Sequence, residues 1–138
     1  MIMLCVILCA CFSALHAKAL VRVDRVVART CLHLWSKEHV RSRVPYDFES
    51  AIKSAREPDA CFYALVESDI VRAVAVCSGS ERPLVCGVAC AVDGGAQIET
   101  MLERIMEDGT ISMDWNMMKK QARWYYCAKF LCEHFKNE

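Results

Sequence analysis

Apolar side chains recur at helical spacing along most of this chain, and that periodicity constrains its fold more than any other feature. Apolar residues lie three or four positions apart in residues 22–41, 98–106 and 112–135, and a shorter run of the same kind occupies residues 48–55. Such spacing puts apolar side chains on one face of a helix. The sequence therefore predicts an all-α protein, a small disulfide-stabilised bundle of five or six helices.

The first of these helices has a clear apolar face. Residues at i, i+3 and i+4 spacing line it, and we expect that face to pack into the core. Basic side chains follow the opposite stripe. The expected core positions are Val23, Val26, Val27, Thr30, Cys31 and Leu34, and the basic stripe is Arg22, Arg25, Arg29 and His33.

Residues 70–77 fit two structures. Together with residues 62–66 they continue a helical face that contains Ile70, Ala73, Val74 and Cys77, but the run alone also fits a buried strand. A lone strand leaves its backbone hydrogen-bonding groups unpaired, and no other stretch offers a clear partner. We therefore expect a helix here and keep the strand as the alternative.

The first 17 residues are of a different kind. They contain no charged side chain, and Lys18 follows them directly. An apolar stretch that ends in small residues is typical of a secretory signal peptide. We expect cleavage after Ala17 or Ala19, with residues 1–19 as the signal peptide and 20–138 as one domain. The expected location is secreted and extracellular.

Removing residues 1–19 takes away Cys5, Cys9 and Cys11, so that seven of the ten cysteines remain. In an oxidising compartment, disulfides are the usual use of such residues. Seven is an odd number, so one thiol stays free or links two chains into a dimer, and the connectivity cannot be deduced from the sequence. The disulfide candidates are Cys31, Cys61, Cys77, Cys86, Cys90, Cys127 and Cys132.

The cysteine spacing also carries a family resemblance. Cys86 and Cys90 are one helical turn apart, Cys127 follows after 36 residues, and Cys61 lies upstream. This spacing resembles the centre of the insect odorant-binding protein pattern. The resemblance covers residues 61–127, rests on cysteines alone, and lacks the last two cysteines of that pattern. It implies a secreted helical carrier of a small hydrophobic ligand, which is our alternative function.

Catalytic and metal-binding motifs are not visible in the sequence. No nucleophile elbow, metalloprotease helix or glycine-rich phosphate loop occurs. The histidines after residue 19 are His33, His39 and His134, and they fall on charged helix faces, where we expect them in solvent. Structural zinc sites need tight ligand pairs that are largely missing. We expect no enzyme, no metal and no cofactor.

Charge is balanced overall but unevenly distributed. The 17 basic and 17 acidic side chains cancel, which argues against bulk attraction to nucleic acid. Residues 18–43, however, contain seven basic and two acidic side chains, whereas residues 44–113 contain five and twelve. The basic stripe of Arg22, Arg25 and Arg29 is thus a candidate binding face.

These observations favour a secreted helical binding protein that acts on another macromolecule, as a hormone, toxin, effector or host-interaction factor. The expected partner is a protein receptor or an anionic surface, and a small hydrophobic ligand is the alternative. Nucleic acid is not an expected partner. No apolar run long enough to span a membrane follows the N-terminal segment.

Overall fold

A five-stranded sheet lies at the centre of the protein. The computed structural model describes residues 17–43, 48–79 and 81–113. In chain order, these residues form β1 (Lys18–Val23), α1 (Arg25–Ser42), α2 (Phe48–Ala55), β2 (Cys61–Glu67), β3 (Ile70–Ser78), β4 (Leu84–Cys90), α3 (Gly95–Glu107) and β5 (Ser112–Met113). The predicted all-α bundle of five or six helices is therefore wrong.

The strands follow one another in the sheet in the order β1-β2-β3-β4-β5. The first four are antiparallel to their neighbours, and β5 pairs parallel with β4 after the chain crosses over through α3. The sheet is therefore mixed, and it is also curled. Ser112, predicted to begin the last helix, lies in β5 instead.

Residues 70–77 form a strand, so the helix expected there is wrong. A two-residue turn at Ser68 and Asp69, both with positive φ (51° and 64°), joins β2 to β3. Left-handed residues at both turn positions suit the twist of a β-hairpin. The strand partners that seemed to be missing are residues 61–67 and 84–90, whose short apolar runs form β2 and β4.

Helices cover both faces of the sheet, which explains the continuous apolar runs of its inner strands. Helices α1 and α2 pack on one face and α3 packs on the other. The first core contains Ala28, Leu32, Trp35, Phe48, Ala51, Ala55, Phe62, Ala64, Val74, Val76 and Ala89. The second contains Cys61, Leu65, Ala73, Ala75, Cys77, Val85, Val88, Cys90, Ile98, Met101, Leu102, Ile105 and Ile111.

Helix α1 begins later than its periodicity predicts. Arg22 belongs to β1, and Asp24 caps the helix by accepting a hydrogen bond from the backbone N–H of Val27 at 2.9 Å. At the other end, Arg43 adopts a left-handed conformation (φ 57°), and its N–H bonds to the carbonyls of His39 and Val40. The Asp24 cap therefore marks the boundary between β1, which ends at Val23, and α1, which begins at Arg25.

Strand β1 starts at Lys18, which pairs with Glu67. If a leader is removed, cleavage after Ala17 leaves β1 whole, whereas cleavage after Ala19 removes two of its six residues. Residues 1–16 lie outside the described residues, as do residues 114–138, which contain Cys127, Cys132 and the remainder of the helix predicted over residues 112–135. Among the helices in the described ranges, none has the length and apolar content needed to cross a membrane.

Candidate functional site

The outward surface of α1 forms an open concave surface on the described part of the chain. We define the α1 outer face as Val26, Arg29, Thr30, His33, Leu34 and Lys37. With Arg25, these residues line an open groove of about 550 Å³. Val26 is 74% exposed and Leu34 is 58% exposed, so aliphatic side chains form part of a solvent-facing surface.

The face of α1 that packs on the sheet is not the one predicted. Ala28, Leu32, Trp35 and His39 are buried, at spacings of four, three and four residues. The predicted core positions Val26, Val27 and Leu34 are exposed instead, and Cys31 is half-buried. Because α1 carries apolar residues on two faces and only one contacts the sheet, the second apolar face remains in solvent.

The α1 outer face is basic as well as apolar. Arg29, His33 and Lys37 flank its aliphatic residues, and none of the exposed residues of α1 is acidic. The one acidic residue of α1, Glu38, is half-buried, and its Oε1 accepts a hydrogen bond of 2.9 Å from the backbone N–H of Val92. An approaching partner therefore meets cationic groups that no acid of α1 offsets at the surface.

Arg25 has a structural role in this region. Its guanidinium donates to the backbone carbonyls of Ala55, Glu57 and Pro58 at 2.8, 2.9 and 3.3 Å, and it lies 5.7 Å from the centre of the Phe62 ring. These contacts tie the start of α1 to the end of α2 and the loop that follows it.

The predicted basic stripe is thus divided among three environments. Arg22 lies on β1 opposite Tyr63, Arg25 is bound to backbone carbonyls, and Arg29 lies in the groove. The structure brings Arg29 together with His33 and Lys37 rather than with Arg22. Leu34 and Val26 were missed as surface residues because their spacing matches a core face; the signal that could have identified them is the second apolar stripe of α1.

Arg25→Gln is expected to lower the free energy of unfolding by about 2 kcal/mol, because the substitution removes charge-assisted hydrogen bonds to three carbonyls. Urea denaturation followed by circular dichroism measures the loss. Arg29→Gln removes the same charge from an exposed position one turn away and should change stability by less than about 0.5 kcal/mol. Equal stabilities of the two variants would contradict the structural role of Arg25.

A second cavity, of about 220 Å³, lies where β4 leads into α3. Its lining includes Trp35, Arg72, Gly94 and Gln97. Nε of Arg72 and Oε1 of Gln97 are buried without a hydrogen-bond partner among the described residues, although the Arg72 guanidinium also lies 3.3 Å from Glu67. Arg72 and Gln97 therefore contribute polar side chains to the lining of the cavity, although these two atoms are themselves buried away from solvent.

Gly94 precedes α3 at the mouth of this cavity, and it packs closely against the end of β4. A Cβ at Gly94 would lie 3.0 Å from Cβ of Cys90 and 3.1 Å from its Sγ. Helix α3 begins at Gly95 without a side-chain cap. A larger residue at Gly94 would push the end of β4 and the start of α3 apart, so the shape of the cavity depends on this glycine.

The histidines differ from their prediction. His33 is exposed in the groove, but His39 is only 2% exposed, so the prediction that it lies in solvent is wrong. Nδ1 of His39 forms a hydrogen bond of 2.8 Å with the carbonyl of Trp35. The His39 ring packs edge-on against the Phe48 ring, with the two ring centres 4.6 Å apart. His134 lies outside the described residues. In the ranges described, no group of three or more metal-ligating side chains is placed to hold a metal.

The five described cysteines are present as thiols. Cys61 and Cys77 are opposite each other on β2 and β3. Cys86 and Cys90, expected on one helix face, lie on a strand and belong to opposite sides of the sheet, because the pairing of β3 with β4 is irregular at Val76 and Cys77. Burial raises the pKa of the Cys31 thiol.

Comparisons with known proteins identify no family for this chain. No family model matches it, and no curated protein does. Among solved structures, a possible acetyltransferase from Clostridium difficile 630 is similar with a TM-score of 0.39 and 10% identity, over 70% of this chain and 76% of that one. An integron cassette protein from the mobile metagenome of Cole Harbour Salt Marsh is similar with a TM-score of 0.37 and 12% identity, over 74% and 80%. Likenesses of this size establish neither a family nor an activity.

Proposed function

We propose that this protein is a binding domain that holds an acidic, partly apolar segment of a partner protein along the α1 outer face. The observation that carries the proposal is the exposure of Val26 and Leu34 within a groove flanked by Arg29, His33 and Lys37. We also propose that it acts outside the cell, because residues 1–17 have the composition of a secretory leader.

The apolar residues supply the argument for a macromolecular partner. Single exposed aliphatic side chains are ordinary on protein surfaces. On α1, however, Val26 and Leu34 lie two helical turns apart with Thr30 between them, so they flank one continuous groove. Apolar side chains within a rim of charged ones are typical of surfaces that bind other proteins.

The charges supply the argument for an acidic partner. Arg29 and Lys37 attract an anionic segment during approach and pair with it at the rim of the contact. Glu38, the one acidic residue of α1, does not compete for these basic side chains, because its carboxylate accepts a hydrogen bond from the Val92 N–H. A protein partner is favoured over a lipid surface because membrane binding strengthens with the apolar area that a helix can insert. In this groove that area comes from Val26 and Leu34, whereas Trp35 of α1 is buried in the core.

Arg29→Glu combined with Lys37→Glu is expected to weaken binding of an acidic amphipathic peptide at least tenfold. Two reversed charges replace attraction by repulsion at the rim of the groove. The probe is a fluorescein-labelled synthetic helix of glutamate and leucine, and fluorescence anisotropy measures its Kd. Binding by the unmodified protein should also weaken as salt rises, because rim charges are screened.

Lys53→Glu combined with Arg56→Glu is the matched control. It makes the same change in net charge on exposed residues of α2 and the loop after it, outside the α1 outer face. Its Kd should stay within about threefold of the unmodified protein, since charges outside the groove act mainly through screened fields. Equal weakening by both variants, or no binding of the peptide by the unmodified protein, would refute the proposal. Binding to phosphatidylserine vesicles instead of the peptide would assign the face to a lipid surface.

A carrier of a small ligand is the second candidate function. The observation that favours it is the 220 Å³ cavity beside Gly94, where Trp35 and Val71 provide apolar walls and Arg72 and Gln97 provide polar groups. Such a ligand would combine an apolar body with an anionic or hydrogen-bonding group. Titration of the intrinsic fluorescence of the protein with an apolar carboxylate tests it, because Trp35 lines the cavity.

A further inference from the structure

We propose that Cys61 and Cys77 form a disulfide when the chain folds under oxidising conditions, and that this pair is a specific modification site of the protein. The inference is independent of the proposed binding function. It is carried by the register of the hairpin formed by β2 and β3, in which Cys61 lies directly opposite Cys77.

The register meets the geometric requirement of a disulfide. Directly opposed residues of antiparallel strands have Cα atoms about 4.5 or 5.5 Å apart, and disulfides join Cα atoms about 4.4–6.8 Å apart. Both side chains project into the core on the α3 side of the sheet. In the folded protein both residues are thiols, and the Cys61 thiol donates a hydrogen bond of 3.3 Å to the Gly79 carbonyl. To bond to Cys77, the Cys61 side chain has to rotate away from that carbonyl.

The surroundings distinguish this pair from the other described cysteines. Cys31 lies on α1, and Cys90 is opposite Ala73, four residues along β3 from Cys77. Cys86 belongs to the opposite side of the sheet, where its thiol bonds to the carbonyl of Val76 at 3.3 Å. Among the described cysteines, the register therefore places one pair, Cys61 and Cys77, directly opposite each other.

Burial determines when the bond can form. Cys61 is 4% exposed and Cys77 is fully buried. Desolvation raises the pKa of the Cys77 thiol far above its usual range, and the neighbouring thiols of Cys61 and Cys86 raise it further. Since the thiolate is the reactive form, the closed hairpin reacts slowly. The bond forms instead during folding, after β2 and β3 have paired and before the core closes over the two thiols.

The oxidant is a small-molecule disulfide such as oxidised glutathione. The Cys61 thiolate attacks it, releases one glutathione thiol and leaves a mixed disulfide. The Cys77 thiolate then attacks the Cys61 sulfur and releases the second glutathione. The two protein thiols thus lose two protons and two electrons, and the oxidant gains them as two reduced glutathione molecules.

Refolding of the full chain tests the pairing. The denatured, reduced protein is refolded in a mixture of reduced and oxidised glutathione, and free thiols are then blocked with iodoacetamide. Digestion with trypsin and a glutamate-specific protease places Cys61 in residues 57–67 and Cys77 in residues 73–81. We expect these two peptides to be joined, with a mass two hydrogens below their sum. The oxidised protein should also melt at least about 5 °C higher than the reduced one.

Variants define the specificity of the pair. Cys61→Ala should leave Cys77 fully alkylated after unfolding, whereas Cys31→Ala, a substitution of a half-buried thiol on α1, should leave the joined peptides unchanged. Reduced native protein placed in the same buffer should acquire the bond at least tenfold more slowly than refolding protein. The proposal is overturned if refolded unmodified protein carries alkyl groups on both Cys61 and Cys77, or if either is joined to a different cysteine.

Discussion

Val76→Asp is expected to prevent folding, and Ile70→Asp is expected to leave the protein folded. Both residues are on β3, but Val76 is fully buried between the sheet and the α1–α2 layer, whereas Ile70 is 52% exposed beside the turn. A carboxylate buried without a partner costs several kcal/mol or more, which is comparable to the whole stability of a small domain. Circular dichroism and size-exclusion chromatography of both variants measure the outcome.

The pair of variants also separates the two structures that the sequence allows for residues 70–77. On a helix, Ile70 would lie on the predicted apolar face with Ala73, Val74 and Cys77, so that Ile70→Asp would be a damaging change. In the strand Ile70 is exposed, so only Val76→Asp is expected to unfold the protein. A folded Val76→Asp protein beside an unfolded Ile70→Asp protein would contradict the hairpin and the sheet built on it.

This segment shows why the periodicity of the sequence misleads at the centre of the fold. A strand covered on one face alternates apolar and polar residues, but β3 is covered by α1 and α2 on one face and α3 on the other. Its residues Ala73–Cys77 are therefore all buried, and a continuous apolar run does not distinguish a strand from a buried helix. The partners of β3 are separate segments of the chain, which no local pattern reveals.

The sequence predicts where the helices lie, because helix formation depends on residues close together in the chain. The amphipathic spacing of residues 98–106 predicts a helix, and α3 spans Gly95–Glu107. The helix predicted over residues 48–55 is likewise confirmed as α2, Phe48–Ala55. For α1, the helix was predictable but its inward face was not, since Ala28, Leu32 and Trp35 compete with Val26, Val27 and Leu34 for the core. Contact with the sheet decides between these sets.

The candidate site was only partly predictable for the same reason. Arg29 was identified as basic and surface-exposed, and it lines the groove. Arg25 could not be excluded from the binding face by sequence, because the carbonyls that hold it come from residues about 30 positions further along the chain. The pairing of Cys61 with Cys77 also depends on strand register, which forms only when β2 and β3 meet.

Phe62→Ala is expected to lower the free energy of unfolding by about 3–5 kcal/mol, the range found when a buried aromatic side chain is truncated. Phe62 is 2% exposed on β2, within the core that α1 and α2 form with the sheet. Its ring also lies beneath the Arg25 guanidinium. Guanidinium chloride denaturation measures the loss. The same m value, the dependence of the unfolding free energy on denaturant concentration, is used for all variants.

Phe62→Leu is the matched control and should cost less than half as much, because leucine keeps most of the buried apolar volume. Arg25→Gln should cost less in the Phe62→Ala background than in the unmodified protein, since the ring that the guanidinium contacts is already gone. The folded fraction of Phe62→Ala should bind the acidic peptide as the unmodified protein does, because Phe62 lies beneath α1 and not on its outer face. A loss below about 1 kcal/mol would instead mean that α1 and α2 do not pack on this side of the sheet, and the exposure of the α1 outer face would then need a different explanation.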